Sequence, residues 1–288
     1  MVVPVWEGQA ELGEGVIWDE RRLHLIWLDI KGRKLHFFSP ATDHRRSVDL
    51  PAEVGAIALR GDGSLVAACS TGFTYLDPDT GRLNLIGDPE RHLPENRFND
   101  GTCDPAGRFI AGSMDDREVE ATGHVYALEP GGGMRRLFGG FVVCNGPAFS
   151  PAGDRLYFSD SVGRAILAFD YNVTTGSATN PRRFATFSKD DGFPDGLTVD
   201  ASGGLWVAHW DGWRVTRFLP DGVIDRVLHM PVPRPTRCAF GGPDLRDLYI
   251  TSARIGLNAE ALAQAPLSGS LFRSTPGVAG LPGYRFNG

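Results

Sequence analysis

Short runs of alternating apolar and polar residues, each broken by a turn rich in Gly, Pro, Asn or Asp, recur along the whole chain. The clearest is Phe193-Pro194-Asp195-Gly196-Leu197-Thr198-Val199-Asp200: an acidic residue precedes Gly, an apolar strand follows, and Ala201-Ser202-Gly203 turns the chain back into Leu205-Trp206-Val207-Ala208. The unit is repeated in Val143-Cys144-Asn145-Gly146-Pro147-Ala148-Phe149-Ser150 and in Arg97-Phe98-Asn99-Asp100-Gly101-Thr102-Cys103-Asp104. In each copy the polar residue opening the first strand lies five positions before the turn residue, so Asn99, Asn145 and Asp195 are in register with Asp104, Ser150 and Asp200. Glu14 joins them, five before Asp19.

Six copies are countable, beginning at Glu14, Gly55, Asn99, Asn145, Asp195 and Thr236. They are spaced about 41 to 50 residues apart, the period of a propeller blade. Each can supply four short strands; the first copy runs through 25–29 and 34–38 and closes with 46–50. Helical periodicity is confined to 258–264, opened by the N-cap candidate Asn258. The pattern predicts an all-β fold, a six-bladed β-propeller with four-stranded blades around a central channel, with residues 1–288 as one domain. Radial packing buries both faces of each small sheet and leaves only short edges.

Composition narrows the partners. The chain is 42% hydrophobic and 22% charged, with 37 Gly and 20 Pro, an ordinary folded composition with many turn-formers. A net charge of -6 and no basic run argue against nucleic acid or an anionic membrane surface, which require clustered positive charge. The N-terminus lacks the pattern of a secretion signal and no apolar run is long enough to span a bilayer, so a cytoplasmic location is expected. Cys69, Cys103, Cys144 and Cys238 are far apart in apolar runs, without a C-x-x-C pair, and read as buried free thiols.

In a propeller the first strand of each blade lines the channel, so residues at one register converge on the axis. Glu14, Asn99, Asn145 and Asp195 then offer two carboxylates and two amide oxygens, a donor set suited to a hard divalent cation. One Asn or Asp before Gly is ordinary turn chemistry; nothing in turn chemistry requires four in matching register. Arg97 adds a planar donor fork beside Asn99, suited to ring oxygens and hydroxyls. His209 ends a second strand and reads as a packing histidine. No phosphate-binding Gly loop and no G-x-S-x-G elbow is present, which disfavours nucleotide chemistry and serine hydrolysis.

The segments Leu12-Gly13-Glu14-Gly15, Arg97-Phe98-Asn99-Asp100-Gly101, Cys144-Asn145-Gly146 and Pro194-Asp195-Gly196 resemble the family of gluconolactonases, regucalcin (senescence marker protein) and bacterial sugar lactonases. The similarity extends to Cys238-Ala239-Phe240-Gly241-Gly242 and Thr251-Ser252-Ala253-Arg254. The resemblance implies a six-bladed propeller, hydrolysis of sugar-acid lactones, and one catalytic divalent metal ion (Ca²⁺, Zn²⁺, Mn²⁺, Mg²⁺ or Fe²⁺). It maps the metal ligands onto Glu14, Asn145 and Asp195, and the substrate contacts onto Arg97 and Asn99. The family's acidic contact after the third-blade G-x-M falls here in a divergent loop, where Asp116 or Glu118 is available and Glu118 is taken as the candidate. Asp195 is the candidate general base. The expected partner is a small sugar lactone, with the protein a monomer or small homo-oligomer. Two other readings use the same site: a calcium-binding module without turnover, and a phosphotriester hydrolase. Arg97 beside Asn99 favours a substrate pocket over the first of these.

Overall fold

The computed structural model describes all 288 residues, Met1–Gly288. The chain opens with β1 (Val3–Trp6), then forms blade 1 from β2 (Gly13–Asp19), β3 (His24–Asp29), β4 (Lys34–Ser39) and β5 (His44–Asp49). Blade 2 is β6 (Val54–Leu59), β7 (Leu65–Cys69), β8 (Gly72–Leu76) and β9 (Leu83–Gly87). Blade 3 is β10 (Asn96–Cys103), β11 (Phe109–Asp115), β12 (Gly123–Leu128) and β13 (Met134–Phe141). Blade 4 is β14 (Cys144–Phe149), β15 (Arg155–Asp160), β16 (Ala165–Asn172) and β17 (Ser177–Thr186). Blade 5 is β18 (Phe193–Val199), β19 (Leu205–Trp210), β20 (Arg214–Phe218) and β21 (Ile224–His229). Blade 6 is β22 (Pro235–Gly241), β23 (Asp247–Ser252), β24 (Leu271–Ser274) and the returning β1.

All strand pairs are antiparallel, and the six sheets form the six-bladed propeller expected from the repeat. The inner strands pack in the cyclic order β2, β6, β10, β14, β18, β22 and back to β2, which encloses the channel. Between neighbouring blades lie apolar layers drawn from both sheets, such as Ile26, Leu35, Ile57 and Leu65 between blades 1 and 2, and Trp206, Val215, Ile250 and Phe272 between blades 5 and 6. Period-2 alternation supplies these layers because both faces of each inner sheet meet a neighbour. The one α-helix, α1 (Ala259–Gln264), is capped by Asn258, whose side chain accepts from the Ala261 amide at 2.9 Å. No helix is long and apolar enough to cross a membrane. All four cysteines are buried and free.

Ring closure is made by the two chain ends. Strand β1 pairs with β24, so the sixth blade borrows its outer strand from the N-terminus. At the other end Phe286 is buried beneath blades 2 and 3, with its amide donating to Leu59 O at 2.8 Å. Neither contact is visible in the repeat.

Every inner strand carries a register shift near its start: between Glu14 and Ile17, Val54 and Ala56, Phe98 and Asp100, Asn145 and Ala148, Pro194 and Leu197, and Pro235 and Cys238. A bulge breaks the strict alternation and re-aims a side chain out of the sheet. In blades 1, 3, 4 and 5 the polar residue at this place, Glu14, Asn99, Asn145 or Asp195, opens onto one cavity. The close approach of inner strands leaves no room for a Cβ at two of these bulges. One added to Gly146, whose φ is 40°, would lie 2.6 Å from Leu197 N, and one added to Gly196 would lie 2.7 Å from Thr236 O.

Candidate active site

Glu14, Arg97, Asn99, Asn145, Asp195 and Glu118 all line one cavity at the mouth of the channel. The convergence of the register positions of blades 1, 3, 4 and 5 is thus met in three dimensions. Glu14 stands on β2, Arg97 and Asn99 on β10, Asn145 on β14 and Asp195 on β18, each at or beside the bulge of its strand.

A directed chain of hydrogen bonds joins three blades across the floor of the cavity. Arg97 Nη1 donates to Asn99 Oδ1 at 2.8 Å, Asn99 Nδ2 donates to Asn145 Oδ1 at 2.8 Å, and Asn145 Nδ2 donates to Ser161 Oγ at 3.0 Å. Ser161 Oγ passes the direction on by donating to Pro194 O at 2.7 Å. These bonds fix both amides with a carbonyl oxygen whose second lone pair is free.

The carboxylates are in a different condition. Glu14 is 3% exposed and Asp195 5%, and no lysine, arginine or histidine forms an ion pair with either. Burial, and then the charge of Asp100, push Glu14 up to about 8. Burial, followed by the charges of Glu14 and Asp100, raises Asp195 well above the usual carboxylate range. Two buried carboxylates repelling one another, beside a fixed amide oxygen, form an oxygen-only donor set of the kind that suits a hard divalent cation. The set contains no third acidic, histidine or cysteine ligand; its remaining protein donor is the amide of Asn145.

Arg97 is held from behind as well as lining the cavity. Its Nε donates to Asp116 Oδ1 at 2.5 Å, and Lys31 Nζ reaches the same carboxylate at 2.8 Å and Glu53 at 2.9 Å. The acid-bearing loop is thereby resolved into two roles: Asp116 clamps Arg97, while Glu118 lines the cavity. Glu118 adopts φ 57°, an uncommon conformation for a side-chain-bearing residue. Asp115 stabilises it by accepting from the amides of Val119 and Glu120 at 3.0 and 2.9 Å. Val143, Val162, Phe193 and Trp210 make an apolar wall facing these polar groups. His209 lies outside the cavity, its Nδ1 bonded to Asp191 O at 2.7 Å, and burial lowers it to about 4.

Sequence reasoning missed Lys31, Glu53, Ser161, Asp100 and Arg237. Asp100 and Arg237 form a buried ion pair in the channel. Their signal was present in the repeat: they occupy a position where other blades have Gly or Ala.

A family model described as SMP-30/Gluconolactonase/LRE-like region matches residues 12–254. Regucalcin of Danio rerio is 38% identical over 282 residues, covering 96% of this chain and 95% of that protein. The solved structure of a calcium-binding protein, regucalcin, from Agrobacterium tumefaciens is 31% identical and superposes with a TM-score of 0.93, covering 98% of this chain and 97% of the other. That of a gluconolactonase from Xanthomonas campestris is 25% identical with a TM-score of 0.78, covering 94% and 88% of the two chains.

Proposed function

The chain belongs to the SMP-30/gluconolactonase/LRE-like family, and from that premise we propose that it is a divalent-metal-dependent hydrolase that opens sugar-acid lactones to aldonic acids. The observation that carries this reading is the pair of buried, unpaired carboxylates, Glu14 and Asp195, beside the fixed amide of Asn145. These three residues would hold the ion, and their oxygen-only chemistry fits Ca²⁺, Mg²⁺, Mn²⁺, Zn²⁺ or Fe²⁺. When bound, such an ion supplies Lewis-acid polarisation of the lactone carbonyl and stabilisation of the developing oxyanion.

The chain's own groups do the rest. Asp195 lines the cavity with its carboxylate, which places it to take a proton from the attacking water and return it to the departing ring oxygen. The products balance as lactone plus water giving one hydroxy acid. Arg97 and Asn99 orient ring oxygens and hydroxyls; their own bonds to Asp116 and Asn145 hold them ready before substrate arrives. Glu118 accepts from a hydroxyl at the rim. Val143, Val162, Phe193 and Trp210 pack the C–H face of the ring and keep bulk water from the reacting carbon.

The test is lactone hydrolysis followed by acid release. Chelation should reduce the rate to that of the uncatalysed lactone, and each divalent ion should restore it to a different extent. Full turnover by metal-free protein overturns the reading. The regucalcin described as calcium-binding favours a second reading, ion binding without turnover. The same assay separates the two: ion uptake with no acid release from any aldonolactone supports the second.

A further inference from the structure

The register that gathers Glu14, Asn99, Asn145 and Asp195 has a second layer one residue further along each inner strand. Blades 1, 4 and 5 have Gly15, Gly146 and Gly196 there, and blade 2 has Ala56. Blades 3 and 6 have Asp100 and Arg237 instead. In a ring of six these two blades face each other, and their side chains meet across the channel.

Arg237 Nη1 donates to Asp100 Oδ1, and Nη2 donates to Gly101 O at 3.2 Å. Asp100 also accepts from the amides of Gly101 and Gly146 at 2.7 and 2.8 Å. The pair is sealed from solvent, with Asp100 at 0% exposure and Arg237 at 5%, and Arg237 Nε has no partner. A Cβ added to Gly196 would lie 2.8 Å from Arg237 Cβ, so the backbone that follows Asp195 rests directly on this arginine. The charge of Arg237 opposes, and that of Asp100 reinforces, the mutual repulsion of Glu14 and Asp195.

Glu118 stands exposed at the cavity wall, outside the sealed pair. Arg97 and Lys31 are answered by Asp116 and Glu53. What remains in the channel is three carboxylates, Glu14, Asp100 and Asp195, against one guanidinium, a formal charge of -2 when all are ionised. A divalent ion makes this cluster neutral; a trivalent ion leaves an uncompensated buried charge.

Resting on the metal reading above, we propose that the Arg237–Asp100 pair sets the charge of the site and so its preference for divalent over trivalent cations. Without the arginine the cluster gains one negative charge and its preference moves toward trivalent ions. With Asp100 neutralised and the arginine kept, the preference moves the other way.

The test measures direct binding of Ca²⁺ and Tb³⁺ to chelator-treated protein, by calorimetry and by Tb³⁺ luminescence. The quantity read is the Ca²⁺ Kd divided by the Tb³⁺ Kd. At an effective dielectric of about 20 and a separation of about 10 Å, one unit charge distinguishes the two ions by roughly tenfold. Arg237→Met should therefore raise the ratio about tenfold, and Asp100→Asn should lower it about tenfold. The double variant D100N/R237M, which keeps the cluster's charge, should return to the wild-type ratio. If Arg237→Met fails to fold because a buried carboxylate is stranded, D100N and the double variant carry the comparison. Unchanged ratios in the folded single variants overturn this proposal and leave the ion site standing. Failure of the wild-type protein to bind either ion overturns the metal reading and the proposal together.

Discussion

Metal uptake at neutral pH should expel protons, because the metal-free site stores them. Glu14 is pushed up to about 8 by burial and by the charge of Asp100. At pH 7 a group with that affinity is protonated in roughly ten molecules for each one ionised. Asp195 is also raised well above the usual range, by burial and the charge of Glu14. A cation coordinates the ionised forms, so binding releases at least about one proton and at most about two. Calorimetric titration in two buffers of different ionisation enthalpy reads this number directly. The binding constant should climb about tenfold per pH unit for each proton released, so about tenfold to a hundredfold per unit, with the Glu14 part of the climb ending near pH 8. The same shift governs the stability of the metal-free fold. Folded Glu14 keeps a proton that unfolded Glu14 loses above 4.5, so its contribution is complete below 4.5 and is lost as pH rises toward 8. By pH 7 the loss amounts to about 3 kcal/mol. Metal-free protein should therefore melt at lower temperature as pH rises across this window, and the metal should remove the trend. Binding at pH 7 without proton release, or an affinity flat between pH 5 and 8, would show that Glu14 and Asp195 are not the ligands.

Asp195→Asn keeps a coordinating oxygen and removes the base, so kcat should drop by about 10² to 10⁴ while calorimetry still detects ion uptake; near-wild-type kcat places the base elsewhere. His36 and His209 are both lowered to about 4 by burial, so the unfolded chain takes up protons below 6.5 that the folded chain refuses, and stability falls as pH drops from 6.5 to 4. Each contributes up to about 3 kcal/mol of that loss, and His209→Gln should flatten the acid limb of a Tm-versus-pH curve; an identical limb refutes the assignment. Phe286→Ala should cost about 3 to 5 kcal/mol in denaturant unfolding, because its ring fills the layer between blades 2 and 3. A loss under about 1 kcal/mol would mean that the C-terminal tail does not pin those blades.

Strand alternation, turn residues and the spacing of copies act over a few residues at a time, so the sequence by itself determined the six-fold repeat and the register of Glu14, Asn99, Asn145 and Asp195. The helix at Ala259–Gln264 was legible for the same reason, its Asn258 cap being a local signal. Contacts made by ring closure were not legible. Strand β1 pairs with β24 nearly the full length of the chain away, and nothing in Val3–Trp6 marks it as part of the sixth copy. Lys31 reaches Asp116 across 85 positions and, together with Arg97 Nε donating to the same carboxylate, ties Asp116 down while Glu118 lines the cavity. Asp100 and Arg237 are 137 residues apart. The repeat marks each as a charge where other blades have Gly or Ala, but only the closed ring, by placing blades 3 and 6 opposite each other and excluding water between them, makes them a buried pair beneath the site.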